Sequence, residues 1–262
     1  MAASPVGWSE IWRVLAYTVA LALAFVLLGR LESGTATLFG LDDRMARSEF
    51  GSSTGDATLA REAERIALVS RAALARVPGR RAVAFRLGYE LGYASTFVGS
   101  FANSAPAVQA KAQVIGARHV GIARTQAAAF GIGRVDLLPA PTLSDYVALN
   151  ERFEADENGI GAQIEARASP LHRQLYLLGA LVGGEAADVE SSNGRMSRPP
   201  GPQIRRHATL AGVDRALWLP LALTPRDTPP EQVLSHYRSA LEALAADLAA
   251  RDAAADAPPA PR

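Results

Sequence analysis

The chain has 262 residues, 27 basic against 26 acidic side chains, and an apolar share of 49%. Cysteine is absent, which excludes a disulfide framework, a thiolate metal site and a catalytic cysteine. A net charge of +1 gives no field for nucleic-acid binding, and Lys111, the only lysine, is the sole candidate for lysine chemistry.

The first local signal is the uncharged run VLAYTVALALAFVLLG, residues 14–29. Sixteen helical residues span about 24 Å, short of the roughly 30 Å hydrocarbon core. Adding Ile11, Trp12 and Leu31 supplies the missing length, with Arg13 and Arg30 at the two interfaces. A cleaved signal peptide and a buried core helix are the competing readings. The nearest small-residue site, Gly34-Thr35-Ala36, follows Arg30 and Glu32, and the run shows no polar face. We therefore expect residues 1–32 to form a membrane anchor, with the membrane as a partner and the cell membrane as the location. Basic residues flank both sides, so orientation rests on architecture, and the body is placed outside the cytoplasm. Residues 33–56 read as a linker rich in Ser, Thr, Gly and Asp.

The body, 57–251, reads as all-α. Asp56 is the expected N-cap of a helix reaching about Val77, stopped by Pro78-Gly79. Helices over 81–100 and 105–130 follow, the latter ended by Gly131 and Gly133. Thr142 and Asp145 suggest a capping box for a helix to about Glu157, and a short helix continues to Arg167. Pro170 opens a helix ending near Glu190. A loop over 191–202 precedes a helix over 203–217. The last helix, 229–251, carries Leu234, Tyr237, Leu241, Leu244 and Leu248 on one apolar stripe, which makes it a candidate docking face for a partner. Residues 252–262 read as a disordered tail.

Offset by 91 residues, the segment 73–92 falls on 164–183 without gaps. The matches are Ala75/Ala166, Arg76/Arg167, Leu87/Leu178, Gly88/Gly179 and Gly92/Gly183, and Arg118-His119 recurs downstream as Arg206-His207. This suggests two duplicated three-helix units, 57–130 and 143–217. Interior helical glycine costs about 1 kcal/mol against alanine, so the paired glycines need a reason. Gly88, Gly92, Gly179 and Gly183 make bare ridges. Either the two helices cross on them, or they form a slot for a flat ligand beside Tyr89, Tyr93 and Tyr176.

Chemistry is sparse. His119, His172, His207 and His236 lack the spacing of metal ligands, and no nucleophile elbow or phosphate loop occurs, so no catalytic, metal or cofactor residue is assigned. Glu90 points away from the ridge and is expected in solvent. Glu154, Asp156 and Glu157 form an acidic cluster, and Arg195, Arg198, Arg205 and Arg206 a basic one. The expected function is a non-enzymatic, membrane-anchored interaction or scaffold protein that binds a protein partner or itself. The alternative is a tethered sensor with a ligand between the glycine helices. Convergence of Glu90, His119 and His207 in one cleft would point instead to an enzyme.

Overall fold

The computed structural model describes residues 53–74, 79–133, 142, 146, 159–192, 201–222 and 229–257, and among them are eight helices and no strand. In chain order these are α1 (Ser53–Leu74), α2 (Arg81–Ser100), α3 (Pro106–Ala128), α4 (Ile160–Arg167), α5 (Pro170–Ser191), α6 (Gly201–Leu210), α7 (Arg215–Ala222) and α8 (Pro230–Asp256). Ser53–Arg262 forms a compact unit by itself. Among the described residues no helix is long and apolar enough to cross a membrane. The expected anchor, most of the linker, the acidic cluster at 154–157 and Arg195 and Arg198 lie outside the described residues.

Several element boundaries differ from expectation, each for a local reason. α1 begins at Ser53, three residues before the expected cap at Asp56. The helix expected over 203–217 is two, because Gly212 takes φ +66 and turns the chain between α6 and α7. Asp214 then opens α7 by accepting a hydrogen bond from the Ala216 amide at 2.8 Å. α3, α5 and α8 each carry proline in the first turn, where its missing N–H costs nothing.

α2 and α5 form the centre of the body. They run parallel, since Gly88 lies against Tyr176 and Ala180 while the hydroxyls of Ser100 and Ser191 meet at 3.3 Å near the far ends. α3 packs antiparallel on α2, placing Gly116 on Val98 and His119 on Glu90. α6 lies against α5, and α8 against α2, α5 and α7. α1 packs on α5 and α6, so the first of the described helices is covered by the second half of the body. The core they share is aliphatic: Leu87, Leu91, Leu175, Leu178, Ile204 and Leu244 are at most 1% exposed.

The stretch expected to be a disordered tail is partly structural. α8 continues to Asp256, and Asp252 is buried at the start of α2. Its carboxylate accepts from the Arg81 amide at 3.0 Å and the Ala82 amide at 2.9 Å. α2 has no side-chain cap of its own and no acid in its first turn, so a residue 171 positions away supplies both. Asp252→Ala should cost about 1–2 kcal/mol of unfolding free energy. Urea titration checks this, and a midpoint equal to that of the parent would remove the remote cap.

Candidate functional site

The glycine ridges meet each other. A Cβ built on Gly88 would overlap the Tyr176 carbonyl oxygen and stand 2.9 Å from the Ala180 nitrogen. One on Gly179 would overlap the Phe85 carbonyl oxygen and stand 2.9 Å from the Tyr89 nitrogen. Gly92 faces the Ala180 carbonyl, and Gly183 faces the Tyr89 carbonyl. Each contact thus recurs with partners exchanged and numbers shifted by 91. Two helices related by a rotation about an axis between them make such reciprocal contacts. The space imagined as a ligand slot is filled by backbone. Tyr176 is 1% exposed and packs over Gly161, away from any slot.

Tyr89 and Tyr93 stand on another face of α2, in a row with Phe97 and Phe101. The His119 ring stacks on Tyr93 with centroids 4.1 Å apart, and His119 Nδ1 donates to Glu90 Oε2 at 2.6 Å. Tyr93 donates its hydroxyl proton to Glu190 on α5. Burial, then Glu190, raises the Tyr93 phenol well above its usual range, so it stays a donor. Glu90 was expected in solvent, but α3 covers it and it is 8% exposed. The side chains of Glu90, His119, Tyr93 and Glu190 therefore clamp α3, α2 and α5 together. The signal in sequence was the aromatic i, i+4 row on α2. Nothing local paired Glu90 with a histidine 29 residues on.

His207 does not join them. It donates to Gln174 Oε1 at 2.7 Å on α5, and burial, then Arg206 and Arg173, lowers its pKa to about 4. Under the 91-residue shift Gln174 corresponds to Val83, so the two Arg-His pairs sit at different levels of their neighbouring helices. His172 is fully buried, its Nδ1 2.8 Å from the Ser169 hydroxyl, and burial with Arg81 and Arg80 lowers its pKa to about 4. His236 is exposed. Glu185, which has no counterpart in the first half because position 94 is alanine, is buried near Tyr237 of α8. Burial, then Asp188, pushes its carboxyl up to about 8. Among the described residues no group of three or more His, Asp or Glu is arranged to hold a metal ion.

The apolar stripe of α8 is spent inside the body. Tyr237, Leu244 and Leu248 are buried, Leu234 and Leu241 half-buried, and the Tyr237 hydroxyl donates to the Val182 carbonyl at 3.1 Å. The unexpected apolar surface is on α3. Val108, Ile115 and Ile122 recur every seven residues and are exposed, and Val114 beside them is 65% exposed. Lys111 and Arg118 are exposed on the same side, and no acidic residue occurs between Glu90 and Asp136. No family model, no curated protein and no solved structure matches this chain.

Proposed function

We propose that this protein is a non-enzymatic interaction module, tethered to the cell membrane by residues 1–32, whose helical body stands outside the cytoplasm and presents α3 to a protein partner. The observation that carries it is the outer side of α3: four large aliphatic side chains exposed beside Lys111 and Arg118, without one acid. Contiguous exposed apolar surface of this kind is characteristic of docking sites. Like charge opposes self-association through the same face, because a second α3 would bring Lys111 and Arg118 against their own kind. The partner is therefore a different protein with an apolar centre and acidic rim. The body behind this face is two related halves, and the exchange symmetry of the Gly88 and Gly179 contacts supports an origin by duplication. Support for the tether is the uncharged run at 14–29.

A photo-crosslinking residue placed at Ile115 in cells should trap one protein, whereas the same residue at Ser239 on the exposed side of α8 should not. Trapping should fall severalfold, roughly tenfold, when Lys111 and Arg118 are both changed to Glu, as expected for a charge-steered contact. Adducts only with lipid, only with a second copy, or equally at Ser239 would overturn this reading.

A further inference from the structure

A second feature, independent of the α3 face, lies where α2 and α8 diverge. They leave a groove of about 410 Å³ whose apolar side is Val83, Phe85, Leu241 and the small side chains of Ala82, Ala245 and Ala249. Its polar groups are Tyr89, Glu90 and Gln126, with Arg86 and Glu242 exposed at the rim. A mostly apolar concavity of this size with a few convergent polar groups is the usual form of a small-molecule site.

Glu90 decides the chemistry. Its side chain is 11% exposed, and His119 bonds Oε2. Oε1 is not among the enclosed atoms left without a partner, so it is open to the solvent of the groove that Glu90 lines. A carboxylate oxygen at the wall of a mostly apolar groove bonds a charged donor more strongly than a neutral one. The field agrees: Glu190 and Glu90 act on Tyr89 more strongly than Arg238 opposes them. Tyr89 adds an aromatic face that attracts cations.

We propose that this groove binds a small organic cation, a primary ammonium on an apolar body, whose N–H groups bond Glu90 while its carbon frame lies along Val83, Phe85 and the alanines of α8. His119 is a positioning residue here, holding the carboxylate by one oxygen so that the other faces the groove. A carboxylate ligand of the same shape meets two acids, Glu90 and Glu242, against one base, Arg86, at the exposed rim, and is rejected, and a neutral alcohol gains one weaker bond.

The test uses the full chain in lipid nanodiscs and calorimetric titration with benzylammonium, benzyl alcohol and benzoate. Benzylammonium should bind saturably at one site, benzyl alcohol about tenfold more weakly and benzoate not at all, matching the greater strength of charge-assisted bonds. Glu90→Gln should weaken benzylammonium by about tenfold or more. Ala245→Leu, which fills the groove without touching the carboxylate, should weaken it likewise, each variant being checked for unchanged helicity and melting. Equal binding of the three probes, unsaturable binding, or parental affinity in a folded Glu90→Gln or Ala245→Leu protein would overturn the proposal.

Discussion

Gly88→Ala and Gly179→Ala are each expected to destabilise the body by roughly 3 kcal/mol or more, a large share of a domain's net stability. Alanine is the better helix former by about 1 kcal/mol, so local propensity predicts the opposite sign. Packing wins because the added methyl meets a carbonyl oxygen of the neighbouring backbone, and backbone has no rotamer to change. Relief requires α2 and α5 to separate along their shared length, which loosens Leu87, Leu91 and Leu178 behind them. Exchange symmetry adds a sharper requirement: the two variants should cost nearly the same. The double variant should cost less than their sum, since helices already parted cannot clash again. Gly121→Ala is the control. It sits in mid-α3 with nothing within 4 Å of a built Cβ, so it should stabilise by up to about 1 kcal/mol. Denaturant titration of all four proteins decides. A Gly88→Ala midpoint that rises with that of Gly121→Ala would sink the backbone-tight crossing.

The place of this crossing was legible because two interior glycines per helix oppose propensity and so mark a packing demand. The all-α class was legible for a similar reason, since turn residues and apolar spacing agree from Pro78 to Pro230. Periodicity shows which face of a helix is apolar and nothing about what covers it. The α8 stripe therefore looked free for a partner while the body itself claims Tyr237, Leu244 and Leu248. The α3 face was overlooked for a related reason. Apolar residues surround that helix on all sides, with alanine and glycine filling both the buried and the open arcs, so no stripe stands out. Glu90 with His119, and Asp252 with the start of α2, join elements 29 and 171 positions apart, a distance at which local pattern carries no information. The Arg-His recurrence misled in the other direction. Its two copies are alike in sequence, yet one histidine meets Glu90 and the other Gln174.

Stability should peak near pH 6.5 and fall on both sides, because the buried titratable groups pull in opposite directions. His172 and His207 have folded pKa values of about 4, below the roughly 6.5 of an unfolded chain. Under acid the unfolded state binds protons that the folded state refuses, so stability drops as pH falls from about 6.5 toward 4. Glu185 has a folded value of about 8, above the roughly 4.3 of an unfolded carboxyl. Here the folded state holds a proton that the unfolded state releases, so stability drops as pH rises from about 4 toward 8. Between these limits two histidines oppose one carboxyl, and below pH 6.5 the histidines win by one proton, about 1.4 kcal/mol per pH unit. Above pH 6.5 only the carboxyl remains. Glu185 is buried near Tyr237 and Asp188, with Oε1 unpaired, so charging it strains the seat of α8 on α5. Glu185→Gln should therefore steepen the acid limb about twofold, abolish the alkaline fall, and raise stability at pH 8 on the order of 3 kcal/mol. Unfolding titrations of both proteins from pH 4 to 9 measure this. A variant that retains the parental loss between pH 6.5 and 8 would show that some other group carries the alkaline limb.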